Sequence, residues 1–263
     1  MPYAAAVVQS LRVIRIGWVL QLKTMARSGF DVMQAIVTPI VYASIAFFLY
    51  RRGGGVETLL WVSLGAAFMG LWSSTLWGAG NTIQRQRSQQ TLEFAIASPT
   101  PFLVSLIGTS LASSAVGLYS LVATLAWGRF LFGVPLELEH PLLFALALPA
   151  AVLSLGLLGI VLAATLILYR YAYALANMLE YPIWLAAGLL APIALLPDWV
   201  HPFSYALAPT WGARAVRESV LGGSPLFAIA MCLALSAVYL VLGLFFVRNF
   251  EQLARKRATL ALS

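Results

Sequence analysis

Charge is the scarcest property of this chain. Only 10% of its 263 residues are Asp, Glu, Lys or Arg, 61% are apolar, and the mean hydropathy is +0.89, whereas ordinary soluble chains carry about 25% charged residues. A water-soluble domain of this length could not cover itself with so few charges, so an integral membrane protein is expected. Lysine is scarcer still. Lys23 follows Leu22 and Lys256 follows Arg255, so no Gly-Lys-Ser/Thr phosphate loop exists and the chain cannot hydrolyse ATP by that route. His140 and His201 each precede a proline and form no His-Glu-x-x-His pair, so they read as loop residues and no metal site is expected. The single Cys232 excludes a disulfide framework and a cysteine metal site. A Gly-x-Ser-x-Gly elbow and a potassium-filter sequence are also missing. The net charge of +7 is no nucleic-acid footprint, because the basic residues fall between apolar runs instead of forming one patch. Arg12 and Arg15 interrupt the apolar stretch that a cleavable leader would need, so none is expected.

What the chain has in abundance is long apolar runs. A bilayer core about 30 Å thick needs about 20 apolar helical residues. Six segments qualify, 33–50, 58–80, 102–127, 142–169, 178–196 and 225–247, and they contain one charged side chain, Glu180. Their length favours helices over the shorter alternating segments of a β-barrel. With the N-terminus inside, eleven of the sixteen basic residues face the cytoplasm, while Arg51, Arg52, Arg129, Arg214 and Arg217 lie outside with five acids. This places both termini in the cytoplasm of a cell-membrane protein. Ahead of the first span, 4–29 reads as an amphipathic helix. Val7, Leu11, Ile14, Trp18, Leu22 and Met25 share one stripe, beside an arc of Arg12, Arg15, Lys23 and Arg27. That stripe suits the inner membrane interface or a protein partner.

Glu180 is the intramembrane ionisable group, and burial of such a group in hydrocarbon is costly. It reads either as a coupling residue or as a carboxylate that reaches the interface or pairs with a base such as Arg170. The aromatics Phe68, Trp72, Trp77, Tyr181 and Trp184, together with Glu180, read as a translocation path or as core and interfacial anchors. Gly65, Ala66, Gly70, Ser74 and Gly78 would let a neighbouring helix approach closely, between protomers or within one.

Two loops carry more information. After the second span, 82–100 holds Gln84, Arg85, Arg87, Thr91-Leu92-Glu93, a short apolar run and Ser98-Pro99. Before the last span, 197–224 follows Pro192 and Pro197, which should stop the fifth helix. Thr210 could cap the next short helix, Gly222-Gly223 could end it, and Arg214 stands four residues before Glu218. The first segment resembles the coupling segment of ABC-transporter permeases of the type-2 exporter class, the group that includes daunorubicin-type multidrug exporters. The second resembles the external hairpin of the same class, ending near Arg214 and Arg217. Related permeases often carry a Glu-Arg pair and a glycine just before Thr-Leu-Glu, where this chain has Gln86-Arg87 and Gln90.

The resemblance implies a single all-α permease domain over 1–263: six transmembrane helices, an N-terminal interfacial helix, and short re-entrant external helices before the last span. It implies a dimer with an identical or non-identical second permease and two copies of an ATP-binding cassette ATPase. ATP and Mg would sit on that ATPase, docked at Gln84, Arg85, Arg87, Thr91, Leu92, Glu93 and Pro99. The solute would be a drug, an antibiotic or a lipid-like amphipath, since the Tyr-Arg and Leu-Gly-x-x-Trp pattern of polysaccharide exporters is missing near the first span. A proton-coupled transporter using Glu180 and a non-transporting membrane scaffold are the rival readings.

Overall fold

The computed structural model describes residues 2–50, 56–91, 94, 102–134, 138–166 and 172–257, and the sites expected at Leu92, Glu93, Pro99 and Arg170 lie outside these. In chain order the helices are α1 (Pro2–Arg27), α2 (Gly29–Tyr50), α3 (Val56–Ser88), α4 (Phe102–Phe132), α5 (Pro141–Leu166), α6 (Ala172–Ala186), α7 (His201–Tyr205), α8 (Ala208–Leu221) and α9 (Pro225–Arg257). Two 3-10 turns, Ile193–Leu195 and Asp198–Val200, lie between α6 and α7. Among the described residues there is no strand. Ser28 separates α1 from α2, and its hydroxyl accepts the Asp31 amide at 3.3 Å, capping the new helix.

Among the described residues five helices are long and apolar enough to cross a bilayer: α2, α3, α4, α5 and α9. They coincide with five of the six expected spans. The expected span 178–196 is corrected at its far end. Its described part, helix α6, runs Ala172–Ala186, and the chain from Ala187 to Pro192 is no longer helical. Pro192 and Pro197 do not stop it. Gly188 does, with φ +70. The Gly188 amide donates to Leu185 O and the Leu189 amide to Trp184 O, both at 3.0 Å, the bond pair of a glycine-terminated helix. Pro192 and Pro197 instead precede the two 3-10 turns. The apolar residues after Gly188 extended the hydropathy signal past the true helix end.

Helix α3 is the centre of the bundle: 83% of its apolar window is buried, against 22% for α2 and for α9. Its small residues are used within the chain. A Cβ on Gly70 would collide with the Ser120 side chain and one on Gly78 with Ser113, so α3 and α4 approach at near-backbone distance. The Thr75 and Ser114 hydroxyls share a hydrogen bond of 3.1 Å across this seam. Helix α1 packs on α4 at Gly108, where a Cβ would lie 2.6 Å from Ile14 O. Ile14 therefore meets protein, while Leu11 and Trp18 of the same stripe face outward, and the helix presents both a protein face and a second apolar face.

Two glycines of α4 test this packing. A Cβ on Gly117 would lie 2.9 Å from the Leu71 backbone, whereas one on Gly128 meets nothing within 4 Å. Gly117→Ala should destabilise the purified protein by about 1–3 kcal/mol. Gly128→Ala should be neutral or stabilise by up to about 1 kcal/mol, both read by thermal unfolding in detergent.

Candidate functional site

Beyond its seam with α4, α3 makes polar contacts with α8, α6 and α2 among the described residues, one at each end and one between. At one end Arg217 of α8 is 9% exposed. Its Nη1 donates to Gly188 O at 2.8 Å, its Nη2 to Leu189 O at 3.0 Å and its Nε to Trp61 O at 3.2 Å. The guanidinium also lies over the Trp61 ring, 3.6 Å from its centroid. Ending α6 early leaves carbonyls without helical partners, and Arg217 supplies donors to two of them. Gly65, one turn beyond Trp61, makes room: a Cβ there would strike both Leu189 O and the Arg217 guanidinium. Burial pulls the Arg217 pKa down to about 9, which still leaves it charged at neutral pH.

The rest of the expected hairpin packs around this arginine. Helix α8 ends before Gly222, whose φ is +85, as its Gly-Gly pair suggested. The cap expected of Thr210 is corrected. Leu207 is the N-cap and makes no side-chain bond, while Thr210 lies inside α8 and its hydroxyl donates to Ser204 O at 2.6 Å, closing α7. Tyr239 of α9 holds the same corner, donating to Ala206 O at 2.5 Å and accepting the Ala208 amide at 3.1 Å. Arg214 and Glu218 pair at 2.6 Å on the surface.

Midway along α3, Glu180 of α6 is buried, 6% exposed. Its Oε1 accepts the Ser73 hydroxyl and its Oε2 accepts Trp77 Nε1 at 3.0 Å. Because Ser73 donates to the carboxylate, Tyr42 of α2 donates to Ser73, at 3.1 Å. No described Lys or Arg forms an ion pair with Glu180; neutral donors from α3 satisfy both oxygens instead. The aromatics divide. Phe68 and Trp72 are fully buried in the core, Trp184 is buried edge-on to Tyr42 at 5.5 Å, and Tyr181 is 64% exposed and edge-on to Trp184 at 5.0 Å.

At the other end, α3 carries Gln84, Arg85 and Arg87 in its last turns and stops at Ser88. Thr91 folds back, its amide donating to Gln86 O at 2.9 Å and its hydroxyl to the same oxygen at 3.3 Å. Gln90 has φ +55. This is the left-handed conformation that glycine adopts at least cost, and it explains why glycine suits this position in resembling sequences. Arg85 Nη2 lies 3.8 Å from Asp31 Oδ2 at the start of α2, and Phe94, just past the turn, is 78% exposed. Sequence reasoning missed Asp31, Trp61, Ser73 and Tyr42. Of these, Asp31 alone left a signal, as an acid beside the first span and three residues after a capping serine.

Removing Arg217 strands carbonyls in a buried corner. Arg217→Gln should cost about 3 kcal/mol or more of stability, whereas Arg214→Gln, which breaks a surface pair, should cost at most about 1 kcal/mol; thermal unfolding of both variants checks this. Gln90→Gly should stabilise by about 1 kcal/mol by relieving the left-handed turn, measured in the same way.

No curated protein is matched by the chain. A family model described as ABC-2 type transporter matches residues 12–221, from α1 through the Arg217 corner to the end of α8. The chain therefore belongs to the ABC-2 type transporter family, and it is the multi-pass permease subunit of an ABC transporter.

Proposed function

We propose that this permease exports a small amphipathic molecule, a drug, an antibiotic or a lipid-like compound, from the cytoplasm or inner leaflet. The chain itself catalyses no reaction. ATP and Mg are bound by a separate ATP-binding cassette subunit, two copies per complex, docked on the cytoplasmic side of the cell membrane. The second permease is an identical or related copy, both termini are cytoplasmic, and lipid rather than nucleic acid surrounds the assembly.

The observation that carries this reading is the continuity of α3. Its 33 residues run unbroken from Val56, through the Trp61 contact with Arg217, to Ser88 just before the Gln90 turn, about 50 Å at 1.5 Å per residue. A push by an ATPase on Gln84, Arg85, Arg87 and the following Thr91-Leu92-Glu93 turn would move one stiff rod. That rod is joined to α6 at Glu180 and at Gly188, so α3 and α6 would tilt together. The exposed apolar faces of α2, with Met33, Ile36 and Val41, and of α6, with Met178 and Tyr181, suit the seam between protomers and the solute path along it.

The rival reading makes Glu180 a proton carrier, because it is an acid in the apolar interior. Its four-residue network with Ser73, Trp77 and Tyr42 supports a joint between helices instead. In proteoliposomes holding the permease and its ATPase, solute transport should follow ATP hydrolysis and survive collapse of the proton gradient. Reversing charge with Arg87→Glu and Glu93→Arg should cut transport at least tenfold while leaving the folded permease in the membrane. Transport that needs the proton gradient and persists without ATP would replace this reading with the Glu180 one.

A further inference from the structure

Helix α1 turns its charge away from the rest of the molecule. Ile14 and Gly17 pack against Ser105, Gly108 and Thr109 of α4, and Gln21 and Met25 stand beside Asp31 and Arg85, so these four residues mark the face that meets the bundle. At about 100° per residue, Arg12, Arg15, Lys23 and Arg27 all fall within about 65° of the opposite direction. All four are exposed, none forms an ion pair among the described residues, and α1 contains no acid. Among them Val8 and Ile16 are more than half exposed, with Leu11 and Trp18 bare on one flank and Leu20 on the other.

The register of the neighbouring helices fixes the level of α1. Across the seam of α3 and α4, Gly70 faces Ser120 and Gly78 faces Ser113, and continuing that antiparallel register sets Gly108 within one turn of Arg85. Ile14, which touches Gly108, is therefore level with Arg85. The other end of α1 is at the same level, because Arg85 reaches Asp31 just past the Ser28 elbow. Ile14 and Ser28 are about 21 Å apart along the chain at 1.5 Å per residue, so a helix with both points at one level lies across the bundle axis. That level is the last turn of α3 and the first turns of α2 and α4, the depth of lipid head groups in the proposed orientation. Open water would leave Val8, Ile16 and Leu20 bare, and hydrocarbon would strand four charges. The boundary layer satisfies both, with basic side chains on head-group phosphates and apolar ones among the upper acyl chains.

We propose that α1 binds anionic phospholipids of the inner leaflet, with Arg12, Arg15, Lys23 and Arg27 holding the phosphates and Val8, Ile16 and Leu20 lodged in the acyl layer. Charge complementarity selects this occupant: four unpaired cations gain from lipids of net negative charge, whereas zwitterionic lipids offer them none. Assignment to the inner leaflet rests on the orientation given with the export reading, but the binding does not, because it is read on the permease alone. Lipid held on α1 would restrain the end of the bundle at which the ATPase is proposed to push on α3.

The experiment places the full chain, carrying Cys232→Ala and a nitroxide at Ile16→Cys, in nanodiscs of phosphatidylcholine alone and of an equal mixture with phosphatidylglycerol. Power saturation with oxygen and with a water-soluble nickel chelate reads the depth of the label, and native mass spectrometry of the released protein reads the lipid it retains. In the mixed discs the label should sit deeper than in phosphatidylcholine, and retention should favour phosphatidylglycerol at least tenfold. Arg12→Gln, Arg15→Gln, Lys23→Gln and Arg27→Gln together should return the label to its phosphatidylcholine depth and cut the lipid preference at least threefold. The same loss of charge at the end of α9, made with Arg248→Gln, Arg255→Gln, Lys256→Gln and Arg257→Gln, should leave the label depth unchanged. If the α1 variant does not fold, salt on the unsubstituted α1 decides, because screening should return the label to its phosphatidylcholine depth. Equal depth in the two discs, or an equal effect of the α9 substitutions, would overturn the proposal. A label that is water-exposed in both discs and protected only when the ATPase is added would assign this face to protein and overturn it as well. Intact lipid binding with no ATP-driven transport would refute the export reading and leave this one standing, and transport with no response of α1 to lipid charge would do the reverse.

Discussion

The structure depends on one buried cation. A helix that ends inside an apolar bundle leaves peptide carbonyls with neither helix nor water to serve, and such backbone is tolerated only where protein supplies the donors. Helix α6 ends in this way at Gly188, and Arg217 reaches across from α8 to bond Gly188, Leu189 and Trp61. Desolvating a guanidinium is expensive, so the arrangement holds because several carbonyl oxygens and the face of Trp61 take the place of water. Gly65 leaves the space, Thr210 and Tyr239 fix the corner from which α8 departs, and Gly222 releases the chain into α9.

From that corner the consequences run along α3. Close packing at Gly70 and Gly78 against α4 makes it a central rod, and Ser73 and Trp77 bind it to α6 through Glu180. A single-bond link between helices would flex. Two links on α3, one through Gly188 and Leu189 and one through Glu180, fix both position and tilt of α6. The same rod ends at Arg85, beside Asp31 and the elbow between α1 and α2. Motion at the Gln90 turn therefore has a continuous path of packed, hydrogen-bonded groups to the opposite end of the bundle.

Much of this was legible in the residues, and the failures have physical causes. Five spans could be read because uninterrupted apolar length is a strong signal. Span 178–196 misled because hydropathy counts side chains and ignores backbone: Leu189 to Leu196 are as apolar as a helix would be, yet a single left-handed Gly188 has already turned the chain. Thr210 looked like a cap by residue type alone, whereas its carbonyl partner, Ser204, belongs to a helix that only tertiary packing creates. Glu180 stood out as the lone intramembrane acid, but its partners Ser73, Trp77 and Tyr42 are ordinary residues far away in sequence. The Arg214–Glu218 pair was readable because four-residue spacing is local. Arg217 was readable as an arginine near the hairpin end, but not as the group on which that end is built.

The most direct test of the account is whether α3 and α6 move as one body. In the complete complex, one protomer would carry spin labels at Glu57→Cys on α3 and Met178→Cys on α6, with the other protomer unlabelled, and electron–electron distances would be measured with and without trapped ATP. The account predicts one unchanged distance distribution within the protomer, even as distances between protomers shift. A separate distance population for α3 to α6 in the ATP-trapped state would show that the Arg217 and Glu180 joints break during transport, and would contradict it.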